Sequence, residues 1–354
     1  MGAQSHWWQQ EVRPLDAGII EAARDHQNQL TKPPGSLGRL EAIAIQLAGI
    51  QNRLHPQCDR VAITIFAADH GVVEEGVSAF PQAVTGEMLK NFVAGGAAIA
   101  VLSKSLNASL QVVNVGSVAD PETLAGVSHQ VIARGTRNFA TDPAMTEAQL
   151  WQALQVGKDV MDDCAAHGIN LWVGGEMGIG NTTSASAIIS ELLHFDPAQV
   201  TGPGTGLDSD GVSRKAKVIA MALSKHQGQM DSPAHVLQMV GGFEIAALAG
   251  AYIRAAQLNI ACVVDGFICG AAALAAIRMN PGITPYLFYS HRSAEPGHQV
   301  LLDALGMEPI MDLTLRLGEG SGAALVVPLI QMATRLHNQM ATFADAGVSE
   351  KLQD

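Results

Sequence analysis

Five short, continuously apolar runs constrain this chain more than any other feature. They are VAITIFAAD (61–69), SLQVVNVG (109–116), INLWVGG (169–175), ACVVDG (261–266) and PYLFYS (285–290). A strand with one wet face alternates apolar and polar residues; these do not, so both faces are buried, as in a parallel sheet. Helical patterns lie between and around them at 86–106, 146–167, 182–194, 211–226, 233–238, 242–257 and 267–279. Alternating strand and helix predicts a doubly wound, mainly parallel α/β sheet flanked by helices. Such sheets bind ligands beyond the carboxyl ends of their strands. Those ends are Asp69-His70-Gly71, Gly116-Ser117, Gly174-Gly175-Glu176, Asp265-Gly266 and Ser290-His291.

The two ends of the chain read differently. Helical patterns at 16–30 and 37–51 are joined by TKPPGS, and residues 321–345 are helical again. The expected division is a small helical domain from 1–55 with 321–354, beside a large α/β domain at 56–320. In TKPPGSLGRLE, Pro33-Pro34 excludes helix interior and Ser36 precedes a helix start, which makes this stretch a hinge and cap.

Composition excludes several function classes. Asp and Glu outnumber Lys and Arg by 33 to 21, a net charge of −12, so a phosphate backbone is repelled and no nucleic-acid partner is expected. The four cysteines are scattered without a C-x-x-C, which reads as reduced thiols filling a core. The N-terminus lacks the charged and apolar regions of a signal peptide. The most apolar region, 245–278, is broken by Arg254, Gln257, Asn259 and Asp265, so no membrane span is expected and the location is read as cytoplasmic.

Several stretches carry chemistry. In RLGEGSGAA, Glu319 stands between Gly318 and Gly320 just before an apolar helix. Two readings stay open: a first-turn carboxylate favoured by the helix dipole, or a catalytic base at a pocket floor. In GGEMGIGNTTSASAII, glycines lead from a strand into a helix that Asn181 or Thr182 can cap. That makes either a phosphate site or a plain tight turn; the spacing fits neither a P-loop nor a dinucleotide fingerprint. In TGPGTGLDSDGVSRKAK, Gly202, Gly204 and Gly206 with Lys215 suit a phosphate, or form a simple connector. Asp69 and His70 read as a hydrogen-bonded loop anchor. Adding His291 and His298 fits no zinc or iron spacing, so no metal is expected. Ser290 and Ser293 can bond a phosphate or ribose, and no G-x-S-x-G elbow supports a serine hydrolase.

Taken together, TKPPGSLGRLE, AADHGV, GGEMGIGNTT, VGGFEIAALAG, VVDGFI, SHRSAE and RLGEGSGAALVVP resemble the nicotinate-nucleotide–dimethylbenzimidazole phosphoribosyltransferases, in order, from about residue 15 to residue 340. The resemblance implies transfer of phosphoribose from nicotinate mononucleotide to 5,6-dimethylbenzimidazole or a related lower-ligand base in cobalamin assembly. It implies a homodimer and no cofactor. By the same resemblance Glu319 is the general base. Gly178, Asn181, Thr182, Gly204, Gly206, Lys215 and Ser293 hold phosphate and ribose. Phe80, Met88, Glu176, Met177 and Leu317 line the base pocket. Phe80, Met88, Met177 and Leu317 are all apolar, so a broad range of aromatic bases is expected, reaching phenols such as p-cresol. The rival readings are a nucleotide N-glycosidase, with water as acceptor, and a non-catalytic nucleotide-binding regulator.

Overall fold

A computed structural model describes residues 6–119 and 124–349. The strands are β1 (Val61–Ala68), β2 (Ser109–Gly116), β3 (Val127–His129), β4 (Leu171–Met177), β5 (Ala261–Val264) and β6 (Leu287–Tyr289). They form one sheet in the order β3-β2-β1-β4-β5-β6, and every pairing is parallel. This order reverses between β1 and β4, which is the switch point of a doubly wound sheet. β1, β4, β5 and β6 are buried along almost their whole length, as continuous apolar runs require.

The helices are α1 (Ala17–Gln29), α2 (Arg39–Gln51), α3 (Ala83–Ala94), α4 (Ala98–Ser105), α5 (Glu147–Ala166), α6 (Asn181–Leu193) and α7 (Pro197–Val200). They continue with α8 (Ser209–Lys225), α9 (Pro233–Val240), α10 (Phe243–Gln257), α11 (Phe267–Met279), α12 (Pro296–Leu305), α13 (Ser321–Gln339) and α14 (Phe343–Ala346). α10 lies along the sheet, touching β1, β2, β4 and β5, and α5 packs outside it. The two helices approach closely because glycines face each other's backbone. A Cβ on Gly157 would stand 1.9 Å from the Ala247 carbonyl oxygen, and one on Gly250 2.3 Å from that of Leu154.

Several expectations shift. The helix expected at 86–106 is two, because Gly95 takes φ 83 and closes α3. β3 was not anticipated: three residues with one apolar member give no sequence signal. The run at 285–290 yields a shorter strand, since Pro281–Tyr286 turns as a 3₁₀ helix. α13 ends at Gln339 rather than 345.

The ends of the chain meet: α1 packs on α2, α2 on α13, and Leu30 bridges Thr342. α13 also touches β4 and β5, while the stretch before α1 reaches the α/β body. There the Asn280 amide donates to the carbonyls of Trp8 and Gln10, each at 2.9 Å. The irregular segment after α12 runs beside the end of β6: Ile310 N–H donates to Tyr289 O (2.9 Å), Met311 to Ser290 (2.9 Å) and Ala294 to Leu315 (2.9 Å). This pairing carries residues 316–319 over the carboxyl ends of the strands.

Candidate active site

A cleft of about 320 Å³ opens where β4, β5 and β6 end. Its floor begins at the end of β4. There the chain turns through Gly178, where a Cβ would stand 2.2 Å from the Ala68 carbonyl oxygen, and enters α6 at Gly180. Gly180, at φ 99, occupies the cap position, so neither Asn181 nor Thr182 caps this helix as the sequence had suggested. Their side chains have other partners. The Asn181 amide donates to the Glu176 carboxyl. Thr182 Oγ1 receives Lys215 Nζ at 2.7 Å. Glu176 is buried, and burial first, then the charges of Asp265, Glu244 and Glu319, push its carboxyl up to about 8. The backbone N–H of Glu319 donates to it and opposes that shift.

Glu319 has φ 63, between Gly318 at φ 84 and Gly320 at φ 76. Three consecutive left-handed residues bend the chain sharply before α13, and only the middle one carries a side chain. A Cβ on Gly318 would run into Glu176 Oε1. The first amides of α13 are capped by Asp265 rather than by Glu319. The Oδ1 of Asp265 accepts the Ala323 N–H at 2.8 Å, and the N–H groups of Gly320 and Gly322 also point to it. Asp265 therefore satisfies the free amides of α13, and Glu319 is not needed for that task. Among the described residues Glu319 Oε2 is buried without a hydrogen-bond partner. Burial raises its pKa above the usual carboxylate value.

The far wall is the loop before α8. Lys215, on α8, is buried and donates to Thr182 Oγ1 and, at 3.4 Å, to the Gly202 carbonyl. Burial draws its ammonium down to about 8, and Glu295 opposes that. Gly204 at φ 55 lines the cleft, and its N–H donates to the Glu295 carboxylate. Ser293 stands in the wall with its N–H on His298 Nδ1 at 2.9 Å. Phe80 and Leu317, 48% and 60% exposed, form the mouth, and Met177 lies half-buried between.

The structure thus brings together Glu319, Glu176, Met177, Gly178, Asn181, Thr182, Gly204, Ser293, Phe80 and Leu317. Three of the expected residues stand apart from the walls. Lys215 sits one shell behind Thr182. Gly206, at φ 123, does not line the cleft, and a Cβ there would meet nothing within 4 Å. Met88 lies on α3 with its sulfur 3.8 Å from the Asn91 amide, away from the walls of the cleft. Other wall residues carry roles that motif reading had not assigned: Asp265, His291, Glu295 and Arg316. Asp265 and His291 had one further signal, their place at strand ends; Glu295 and Arg316 had only their place in the stretches SHRSAE and RLGEGSGAALVVP. His291 Nδ1 lies 2.9 Å from Ser290 Oγ, and burial holds the ring near 4, so it is neutral. His70 sits outside the cleft, bonded to Ser184 Oγ (2.9 Å) and Glu244 Oε1 (2.6 Å) as a loop anchor.

The cleft therefore offers an unpartnered carboxylate, a flat approach along glycine backbone, and a lysine-backed glycine loop opposite. A family model described as phosphoribosyltransferase matches residues 12–348. The chain is 57% identical over 345 residues to the nicotinate-nucleotide–dimethylbenzimidazole phosphoribosyltransferase of Pseudomonas putida (strain W619), covering 98% of each chain. It is 55% identical over 347 residues to the enzyme of that name from Ectopseudomonas mendocina (strain ymp), covering 98% of this chain and 99% of that one. The crystal structure of CobT from Thermus thermophilus superposes with a TM-score of 0.91 at 43% identity, covering 94% of this chain and all of that one. The chain belongs to the nicotinate-nucleotide–dimethylbenzimidazole phosphoribosyltransferase family.

Proposed function

We propose that this enzyme moves phosphoribose from nicotinate mononucleotide to 5,6-dimethylbenzimidazole or a related aromatic base, with Glu319 as general base. The observation that carries the reading is the buried, unpartnered Glu319 oxygen held over the cleft by two glycines of positive φ. A nitrogen lone pair of the acceptor bonds C1′ of the ribose. The C1′–N bond to nicotinate breaks, and its electrons neutralise the pyridinium ring. The acceptor's N–H proton passes to Glu319, which needs a heavy-atom approach of ~2.6–3.2 Å. Attack opposite the leaving group inverts C1′ and needs no covalent enzyme intermediate.

The 5′-phosphate is assigned to the loop around Gly204 and the turn at Gly178, with Lys215 behind Thr182 supplying positive charge. In the same reading the enzyme works in the cytoplasm as a homodimer. The half-exposed stripe Leu325, Leu329 and Met332 along α13 supports pairing of two copies. No helix among the described residues is long and apolar enough to cross a membrane.

Mass spectrometry of products from nicotinate mononucleotide, with and without benzimidazole, tests the assignment. Formation of the base riboside 5′-phosphate with an equal amount of nicotinate, and little nicotinate release when the base is left out, supports transfer. Ribose 5-phosphate formed at equal rate with or without acceptor would make the enzyme an N-glycosidase.

A further inference from the structure

Far from the cleft, three imidazoles meet where the two ends of the chain pack together. His26 stands on α1, His55 on the connection from α2 to β1, and His337 near the end of α13. One ring nitrogen of each lies within 4.8 Å of the others. The ring centroids are 5.3 Å apart for His26 and His55 and 4.8 Å for His26 and His337. His337 is buried, His26 half-buried and His55 exposed, so the cluster is open to solvent on one side.

Hydrogen bonds fix two of the tautomers. His337 Nε2 lies 2.9 Å from the Leu54 carbonyl oxygen, and a carbonyl only accepts, so Nε2 carries the hydrogen. Its Nδ1 then holds the lone pair, and receives the Gln27 amide at 2.8 Å. By the same reasoning His26 Nε2, 2.8 Å from the His337 carbonyl oxygen, carries hydrogen and leaves Nδ1 basic. Donation of one ring N–H to a carbonyl is how metal-binding histidines are oriented.

Gln27 supplies a second, independent observation. It is 2% exposed, and its Oε1 is buried with no partner among the described residues. A half-turn of the amide exchanges the present N–H donor for that oxygen, which an ion or its bound water can engage. Lys32, a nearby lysine that disfavours a cation, is paired with Glu41 at 2.8 Å.

We propose that His26, His55 and His337, with Gln27 turned toward them, bind one divalent transition-metal ion of imidazole preference, Zn²⁺ foremost. Tetrahedral Zn–N bonds of ~2.05 Å place ligand nitrogens ~3.4 Å apart. His55, which is exposed and holds no hydrogen bond among the described residues, is the ligand freest to close in on the ion. The ion clips α1, the α2–β1 connection and α13 together. His337 stands 16 residues beyond Ser321, the residue at the cleft end of α13. At ~1.5 Å per residue that is ~24 Å, so the ion takes no part in the transfer.

The test uses the untagged full chain, stripped with EDTA and titrated with Zn²⁺ or Co²⁺. One ion per chain, Co²⁺ absorption bands of a four-coordinate site with three nitrogen donors and one oxygen donor, and a higher Tm with Zn²⁺ are expected. His55→Ala and His26→Ala should each weaken binding by ~10-fold or more, with transfer activity within ~2-fold of wild type. His55 is exposed, so its variant folds, and circular dichroism checks this. Absence of saturable binding, or binding of equal strength in the His26→Ala/His55→Ala double variant, would overturn the site.

Discussion

Asp265 Oδ1 accepts the backbone N–H of Ala323 at 2.8 Å, so the residue that follows β5 holds the helix that begins just after Glu319. Strand and helix are far apart in sequence, and this bond fixes where the Glu319 carboxylate stands. Asp265→Ala should lower kcat by ~10-fold or more through misplacement of the base, with a smaller change in KM. It should also lower Tm, since losing a cap costs ~1 kcal/mol. Asp265→Asn, which can still accept, should recover part of kcat. Wild-type kcat in the alanine variant would remove Asp265 from a positioning role.

Glu319→Gln keeps the shape of the side chain and removes its basicity. Transfer should fall by ~10²–10⁴, the usual cost of losing a general base. Binding of nicotinate mononucleotide, measured by calorimetry, should stay within a few-fold of wild type. Near-normal turnover would mean that another group takes the proton.

The buried carboxyls give stability a sign with pH. Burial raises Glu176 to about 8 and Asp265 to about 7, while the unfolded chain titrates both at ~4. Between those values the folded state keeps protons that the unfolded state releases. The contribution of these two groups is therefore greatest below the unfolded values and falls as pH rises toward about 8, by up to ~1.4 kcal/mol per pH unit for each group, while buried His291 and His298, held below the usual imidazole value, act with the opposite sign below ~6.5. Urea unfolding between pH ~6.5 and about 8, above the titration of the unfolded histidines, should show the decline, and Glu176→Gln should flatten it. An unchanged slope in that variant would place the effect elsewhere.

Lys215 touches Thr182 and the Gly202 carbonyl from behind the glycine loop that is proposed to hold the phosphate. Lys215→Ala should raise KM for the nucleotide by ~10-fold or more, the scale of losing one charge-assisted contact of ~1.5–3 kcal/mol, and leave KM for the base nearly unchanged. Initial-rate kinetics with each substrate varied in turn separates the two. Equal effects on both would take Lys215 out of the phosphate site.

Phe80 lies at the mouth of the cleft and Met88 does not line it, so their variants should behave differently. In competition between dimethylbenzimidazole, benzimidazole, adenine and p-cresol for one pool of nucleotide, Phe80→Ser should shift the product ratios. Met88→Gln should leave them close to wild type. A shift of equal size in both would show that Met88 reaches the base despite its position on α3.

The sequence by itself determined the layered parallel sheet, because burial on both faces leaves continuous apolar runs at 61–69, 169–175 and 261–266 that no other architecture explains. It also marked the glycine-flanked Glu319 and the turn at Gly178, where special backbone conformations demand particular residues. Only the tertiary structure showed which residue caps α13, since Asp265 comes from beyond the end of β5 and not from the loop of Glu319. It alone set Met88 off the cleft, put Glu295 and Arg316 into the wall, and gathered His26, His55 and His337. Those placements depend on how distant segments pack. Periodicity and turn chemistry record only what neighbours along the chain impose on each other.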